Sequence, residues 1–208
     1  MNPATTQQQA ASAALANNSR AAPVTQEVTP KSIERPGIQS LEPAKSPTGL
    51  VFGFLHHETI DALDEGNAWK DRATAIERVE SQLGHELSNN ERKARFAPHA
   101  TAFLGFIMAH IKDMNFKVSL TAINITNKLL VLEVAQVNKH YNNLARNLIE
   151  KLSDSKVVIR QAVLKCCSVL IRGSSPSQFA NHAISYLGHT NWHVREGILH
   201  LIANCLIV

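Results

Sequence analysis

The chain has 208 residues, of which 44% are apolar and 18% charged, so it is long enough to bury the core of one domain. Its 21 basic and 17 acidic residues give a formal net charge of +4, too small an excess to favour nucleic-acid binding. Three cysteines without zinc-site or disulfide spacing favour a reducing compartment, and no apolar run reaches the ~18 residues of a membrane span.

Residues 1–49 differ in composition from the rest of the chain. They hold six of the eight prolines and no aromatic residue, mixed with Gln, Ala, Ser, Thr and Asn. Such a segment cannot offset the entropy of ordering by burying apolar surface. We therefore expect residues 1–49 to be disordered and residues 50–208 to be the folded domain.

Beyond this segment, apolar residues recur at the three- and four-residue intervals of an α-helix, as at Leu144, Leu148 and Leu152. No stretch alternates apolar and polar residues over the length of a strand, so an all-α fold is predicted. Proline suits the first turn of a helix because its missing N–H is not needed there. Pro98 and Pro176 are therefore expected to begin new helices.

An internal repeat runs through the folded part. In each copy an apolar helix ends in a short polar turn, and a second helix opens with an aliphatic residue and a polar or basic one. Three copies lie at residues 111–119, 152–160 and 187–195, and a more degenerate copy ends at residues 69–72. The last residues of these copies are spaced about 35–47 residues apart, which fits HEAT-type helical hairpins.

Four hairpins are therefore predicted, roughly at residues 52–86, 97–135, 138–172 and 176–207. One hairpin alone has an apolar face that it cannot bury, so the hairpins are expected to stack into a short solenoid with their turns along one edge. Turn residues remain in solvent and are free to carry recognition side chains. This edge is predicted to be basic with aromatics, and its residues are Asn67, Trp69 and Lys70; Asn115, Phe116 and Lys117; Ser155 and Lys156; and Asn191, Trp192 and His193.

The turn sequences also carry a family likeness. Trp69-Lys70-Asp71-Arg72 followed by Ala75-Ile76, and residues 115–120, 148–161 and 191–197 in the later turns, are similar to the successive turns of a TOG domain, a tubulin-binding HEAT-repeat module. Asn191-Trp192-His193-Val194-Arg195-Glu196-Gly197 is the strongest match. The resemblance covers about residues 52–207 and looks closest to the CLASP and crescerin branch, the latter being TOG-array regulators of axonemal microtubules.

The resemblance implies a microtubule-associated protein that holds αβ-tubulin at its turn edge and regulates microtubule dynamics or stability. Trp69 would be the apolar anchor, and basic turn residues would meet acidic tubulin surface. The implied tubulin-binding residues are Trp69, Lys70, Asn115, Lys117, Lys156, Asn191 and Arg195. We expect a monomer with no enzymatic activity, cofactor, metal, nucleic-acid or membrane partner, located in the cytoplasm and cytoskeleton, with cilium, centrosome and spindle as alternatives.

A TOG domain has six HEAT repeats, whereas four are found here before the chain stops at Val208. The final apolar run, residues 201–207, lacks the polar outer face of a terminal repeat. We therefore expect a partial domain, incomplete at its C-terminal end.

Several residues have plainer interpretations. Arg160 follows Asp154 at the spacing of the polar ladder that HEAT repeats form between turns, so it could have a structural role instead of contacting tubulin. The same applies to Arg195. Phe116 and Trp192 could pack as staples on their own hairpins. The turn lysines could simply be solvated.

The whole domain also has an alternative function. A HEAT stack can be a scaffold or adaptor for a complex without tubulin, with its specific residues on the inner helices rather than at the turns. His56-His57-Glu58 lacks the second ligand cluster of a metal site, and Cys166 and Cys167 are expected to be buried as small apolar residues.

Overall fold

The computed structural model describes residues 49–133 and 135–207. The segment predicted to be disordered lies, apart from its last residue, outside these described residues. Within them the chain forms eight α-helices and one short 3-10 helix at Val137–Lys139. The α-helices are α1 (His57–Asp61), α2 (Trp69–Leu87), α3 (Asn90–His110), α4 (Phe116–Val131), α5 (Tyr141–Lys151), α6 (Val157–Arg172), α7 (Pro176–Ile184) and α8 (Trp192–Ile207).

The helices pair as four hairpins, α1–α2, α3–α4, α5–α6 and α7–α8, and this confirms the predicted all-α stack. The second helices pack side by side in the order α2, α4, α6, α8. Each of these contributes a buried stripe at helical spacing, such as Val118, Ala122 and Ile125 in α4. Because the second helices lie next to one another, the turns that precede them fall along one edge.

The second hairpin begins earlier than the sequence predicted. Pro98 does not start a helix but lies inside α3, which begins at Asn90 with the Asn89 side chain accepting a hydrogen bond from the Glu91 amide. Proline in a helix interior removes one backbone hydrogen bond. Phe96 and Ala100, on either side of Pro98, are buried in the core. Their packing keeps α3 helical through Pro98 and outweighs the preference of proline for the first turn of a helix. The other proline prediction is confirmed, because Pro176 is the first residue of α7.

The start of the described domain is a tight turn that covers the first hairpins. Val51 and Leu55 form an isolated antiparallel bridge, and Phe52 between them has a φ of 53°. The Phe52 ring lies 5.3 Å from Phe103 and 5.5 Å from Phe106 of α3, centroid to centroid. This aromatic contact fixes the turn against the core.

Two cysteines lie in the core of α6, as expected. Cys166 and Cys167 are fully buried, and burial raises the pKa of the Cys166 thiol to about 12. These thiols therefore remain protonated and pack as small apolar groups. Among helices in the described residues, none combines the length and apolar character needed to cross a membrane.

Candidate binding edge

Four turns form the edge where recognition was predicted. Turn 1 spans residues 62–68, turn 2 residues 111–115, turn 3 residues 152–156 and turn 4 residues 185–191. Each is followed at once by the first residue of a second helix. We refer to these turns, together with the first two residues of the helices after them, as the binding edge.

Three turns are closed by an arginine from the helix that follows. Arg160 donates from Nη1 to the backbone carbonyls of Asp154 at 2.8 Å and Ser155 at 3.1 Å. Arg195 repeats this arrangement in turn 4, where Nη1 lies 2.7 and 3.0 Å from two backbone carbonyl oxygens. Arg72 does the same in turn 1, donating to the Asn67 carbonyl at 2.6 Å. These guanidinium groups shape the turn backbones.

Turn 2 has Ser119 at the equivalent position. This side chain is fully buried and its hydroxyl donates to the Ile111 carbonyl at 2.6 Å, so a shorter polar group closes the turn in place of arginine. The predicted ladder between neighbouring turns is not made by Arg160, whose hydrogen bonds stay within turn 3. Polar contacts between neighbouring turns are made instead by Arg72 with Asp113 of turn 2 and by the Asn191 side chain with a backbone carbonyl of turn 3.

In turns 2, 3 and 4 a side chain at the same position of each turn accepts a hydrogen bond from a backbone amide. Asp113 and Asp154 accept hydrogen bonds from the amides two residues further on, at 2.7 and 2.9 Å. His189 does the same in turn 4 through Nδ1, at 3.0 Å. Asn115 and Asn191 then cap α4 and α8, each accepting at 2.9 Å from the amide two residues on. The turns are therefore hydrogen-bonded before any partner arrives.

Contacts between turns join the edge into one surface. Arg72 of α2 pairs with Asp113 of turn 2. The Lys156 ammonium of turn 3 lies 4.7 Å from the centre of the Phe116 ring at the start of α4. In turn 4 the side-chain nitrogen Nδ2 of Asn191 donates to the backbone carbonyl of Ser153 in turn 3 at 3.4 Å. Each turn is thus held against its neighbour.

These contacts also set the ionisation of Asp113. Burial alone would raise its pKa, but the Arg72 guanidinium and the Asn115 amide outweigh this effect and hold the pKa below the usual value. The same balance operates at Asp154, where burial is outweighed by the Lys156 amide and the Lys151 ammonium. Both carboxylates are therefore charged near neutral pH.

The first residue of every second helix is a large apolar residue that reaches solvent. Trp69 is 50% exposed, Phe116 41%, Val157 53% and Trp192 57%. About half of each side chain is therefore in contact with solvent. The four residues lie in line along the binding edge, one in each repeat.

Lysines accompany these apolar residues. Lys70, Lys117 and Lys156 are exposed in the first three repeats, so the basic character predicted for the edge is present there. Turn 1 differs, because it also exposes Asp64 and Glu65. The positive surface is therefore strongest around turns 2 and 3.

The seven residues implied by the family resemblance fall into two groups. Trp69, Lys70, Lys117 and Lys156 are exposed at the edge. The other three, Asn115, Asn191 and Arg195, are half-buried and engaged in the hydrogen bonds that build their turns. Their participation in binding stays a prediction for both groups, while the second group has a structural role in addition.

Val157 was not among the edge residues predicted from the sequence, and Trp192 was predicted at the edge but not among the tubulin-binding residues. The available signal was positional, since both stand three residues before the arginine of their repeat, as Trp69 does. Within the described residues, no three His, Cys, Asp or Glu side chains come together as a metal site.

Comparison with known proteins finds several proteins of similar sequence. No protein-family model matches the chain. A CLIP-associated protein of Arabidopsis thaliana is 30% identical over 138 residues, covering 66% of this chain and 9% of that protein. The human TOG array regulator of axonemal microtubules protein 1 is 24% identical over 158 residues, covering 75% of this chain and 9% of that protein. The chain is therefore similar in sequence to proteins named as a CLIP-associated protein and as a TOG array regulator of axonemal microtubules.

The fold of the chain also matches a solved structure. A chain from the work described as "Crescerin uses a TOG domain array to regulate microtubules in the primary cilium" superposes with a TM-score of 0.55 at 20% identity. The match covers 72% of this chain and 59% of that one, and identifies the fold as a TOG-type helical solenoid. The matched segment spans about a tenth of the length of the curated relatives.

Proposed function

We propose that this domain binds αβ-tubulin through the binding edge and regulates microtubule dynamics or stability. The observation that carries the proposal is the exposure of Trp69, Lys70, Lys117 and Lys156 together on one edge. A tubulin-binding turn edge requires this arrangement, whereas an adaptor would be expected to carry its specific residues on the inner helices. The names of the relatives support a role at microtubules of the cytoskeleton or cilium.

The two kinds of exposed residue would act differently in such a complex. The Trp69 ring would lose water on contact, and large aromatic residues of this kind tend to dominate interface affinity. Lys117 and Lys156 would face acidic surface on tubulin, where rim charges mainly accelerate encounter. Binding should therefore weaken as salt is added, because exposed charges are screened.

The hydrogen-bonded turns favour this use. Arg195 and Asn191 keep turn 4 in a fixed conformation through bonds to the backbone. A partner would then meet a preformed surface, and little conformational entropy would be lost on binding. In this proposal the half-buried residues present the edge and the exposed residues make the contacts.

The test is size-exclusion co-elution of the full chain with purified αβ-tubulin at low and moderate salt. The variant Trp69→Ala/Lys117→Ala/Lys156→Ala removes the exposed edge residues. A matched control, Val131→Ala/Lys139→Ala/Lys165→Ala, removes exposed residues away from the turns. We expect the wild-type chain and the control to shift tubulin, and the edge variant to fail while its helical circular dichroism is unchanged.

Two results would contradict the proposal. If the folded wild-type chain fails to shift tubulin even at low salt, tubulin is not its partner and the HEAT adaptor becomes the better hypothesis. If the edge variant binds as tightly as the control, tubulin contacts another face of the domain.

A further inference from the structure

We infer that His189 makes turn 4 a pH-sensitive part of the binding edge, because the turn keeps its described conformation only while the His189 imidazole is neutral. Turns 2 and 3 have an aspartate at the equivalent position and keep their conformation over the same pH range. This behaviour belongs to the chain alone and does not require the proposed function.

His189 occupies the position at which the two preceding repeats have an aspartate. Asp113, Asp154 and His189 each lie six residues before the side chain that closes their own turn. Each accepts a hydrogen bond from the backbone amide two residues further on, at 2.7, 2.9 and 3.0 Å, respectively. A carboxylate therefore holds the amide in two turns, and an imidazole holds it in the third.

The Asn191 amide determines which form of the His189 ring fits turn 4. A backbone amide can only donate, so Nδ1 of His189 must present its lone pair and the ring proton must lie on Nε2. A protonated imidazole carries a hydrogen on both nitrogens and has no acceptor left. Two N–H groups would then face each other. Protonation of His189 and its hydrogen bond with the Asn191 amide therefore exclude each other.

The charged groups next to turn 4 do not provide a partner for a protonated His189. Each of the nearby carboxylates has another neighbour: Glu150 pairs with Lys112, Asp154 pairs with Lys151, and Glu196 lies 3.8 Å from the His193 ring. Within the described residues, no carboxylate forms an ion pair with His189. The titratable and charged side chains that the neighbouring elements place beside this turn are Glu150 and Lys151 of α5, Asp154 and Lys156 of turn 3, His182 of α7, and His193, Arg195 and Glu196 of α8.

Arg195 limits how far turn 4 can change. Its Nη1 donates to the backbone carbonyls of His189 and Thr190 at 2.7 and 3.0 Å, and these bonds do not involve the imidazole. Its positive charge also gives no support to a second positive charge on the ring. Turn 4 should therefore stay closed by arginine in mild acid and lose only the bond to the Asn191 amide.

The difference between histidine and aspartate sets the pH range. Histidine side chains in general change their charge near pH 6.5, whereas aspartates do so near pH 4. The pKa values of Asp113 and Asp154 are held below the usual value, so both carboxylates stay charged in mild acid. Turns 2 and 3 should therefore keep their amide bonds at a pH at which turn 4 loses its own.

Asn191 transmits the change to the rest of the binding edge. Its Oδ1 accepts from the His193 amide at 2.9 Å and so caps α8, and its Nδ2 donates to the Ser153 carbonyl of turn 3 at 3.4 Å. Release of the Asn191 amide frees the backbone that carries both contacts. The start of α8 and the junction between turns 3 and 4 should therefore loosen together.

The test measures solvent exchange of backbone amides by NMR in the full chain at pH 7.5 and 5.5, with each rate divided by the intrinsic exchange rate at that pH. The Asn191 amide reports on turn 4, and the Asn115 and Lys156 amides, which bond to aspartates, are internal controls. His189→Asp restores the carboxylate of the other turns, and His189→Ala removes the acceptor at every pH. His200→Gln, which removes an exposed imidazole of α8, is the matched control.

We expect the protection of the wild-type Asn191 amide to fall about fivefold from pH 7.5 to 5.5, as loss of one hydrogen bond predicts. The two internal controls should change by less than about twofold. In His189→Asp the Asn191 amide should stay protected at both pH values, and in His189→Ala it should be poorly protected at both. His200→Gln should behave as the wild-type chain does. The ¹⁵N chemical shift of the His189 ring should show Nδ1 without a proton at pH 7.5 and with one at pH 5.5.

Two results would overturn the inference. The first is equal protection of the wild-type Asn191 amide at the two pH values. The second is the same fall in protection in His189→Asp as in the wild-type chain, because another group would then control the turn. Neither result depends on tubulin.

A consequence for binding rests on the proposed function. Between pH 7.2 and 6.2 the Kd for αβ-tubulin should rise about two- to threefold more for the wild-type chain than for His189→Asp, and the pH response of tubulin itself cancels in this comparison. Equal changes in Kd would contradict a role of turn 4 in binding. If the wild-type chain binds no tubulin at either pH, the proposed function is wrong, and the amide measurement still decides whether His189 controls turn 4.

Discussion

Arg72 and Asp113 are joined by two parallel hydrogen bonds, from Nε to Oδ2 at 3.0 Å and from Nη2 to Oδ1 at 3.1 Å. The two residues are 41 positions apart in sequence and come from successive repeats. Their side chains are only 12% and 4% exposed, and the pair connects turn 1, which precedes Trp69, to turn 2. This ion pair therefore joins the first two turns, in addition to the packing of α2 against α4.

Breaking this pair should destabilise the domain. Asp113→Asn keeps the shape of the side chain but leaves the Arg72 charge without its partner, and we expect a loss of about 2–4 kcal/mol. The measurement is thermal unfolding by circular dichroism, in which the midpoint should fall by several degrees. Glu150→Gln is the control, since the Lys112–Glu150 pair is 47% and 42% exposed and should contribute little. Equal midpoints for the two variants would contradict this assignment.

Asn115 and Lys117 are neighbours at the edge, and their substitutions should have opposite consequences. Asn115→Ala removes the cap of α4 and should lower stability by about 1 kcal/mol. Lys117→Ala should leave stability nearly unchanged, because its side chain is exposed, and should weaken tubulin binding instead. Chemical denaturation and tubulin titration of both variants test this division. Loss of binding without loss of stability in Asn115→Ala would make Asn115 a direct contact residue.

Two helical glycines should respond in opposite ways to alanine. A Cβ on Gly197 of α8 would lie 2.9 and 3.1 Å from the two methyl carbons of buried Leu152, so Gly197→Ala should overpack the site and lose about 1–3 kcal/mol. A Cβ on exposed Gly84 of α2 meets nothing within 4 Å, and Gly84→Ala should gain about 0.5–1 kcal/mol. Urea unfolding of both variants is the measurement. A more stable Gly197→Ala variant would mean that Leu152 moves aside freely.

Stability should fall on mild acidification because of His110. Burial lowers the pKa of His110 more than the nearby carboxylates of Asp113 and Glu65 raise it, and its Nε2 is buried without a hydrogen-bond partner. The unfolded chain takes up a proton near the ordinary histidine pKa of about 6.5, whereas the folded state resists it. The free energy of unfolding should therefore be largest above this pH and should decrease as the pH falls below it.

His110→Leu should reduce this dependence between pH 7.5 and 5.5, measured by urea unfolding at several pH values; His182, whose pKa is also lowered by burial, should supply part of the slope that remains. His200→Gln removes an exposed imidazole of α8 and serves as the control, which should keep the wild-type slope. The contribution of Asp113 has a separate range, because a carboxylate with a lowered pKa loses its stabilising effect only in stronger acid. An unchanged slope in His110→Leu would assign the effect to other residues.

The sequence was enough to predict the four hairpins and the line of turns. The repeat fixed these features because Arg72, Arg160 and Arg195 mark the same structural position, and the structure shows each of them closing a turn. Alignment of the repeats also predicted the exposed lysines of the first three repeats. Repetition made these predictions possible, since one copy supports the interpretation of another.

Features that depend on long-range packing could not be predicted. Pro98 looked like a helix start, and only the burial of Phe96 and Ala100 explains why α3 continues through it. The ion pair of Arg72 with Asp113 could not be predicted either, because spacing within one repeat does not show which carboxylate of the next repeat will lie beside the arginine. Exposure of Val157 depended on the position of its neighbours, which the sequence does not give.

Turns 3 and 4 are each closed by an arginine that bonds to the backbone of the same turn, and this affects how the binding edge can evolve. Arg160 and Arg195 bond only to carbonyls of turns 3 and 4, respectively, so the backbone of each loop is fixed independently of the side chains that it displays. An exposed residue such as Val157 or Trp192, at the start of the helix that follows, can therefore be replaced without altering the turn before it. Selection, or a protein engineer, can adjust the partner preference of this surface one repeat at a time on a constant frame.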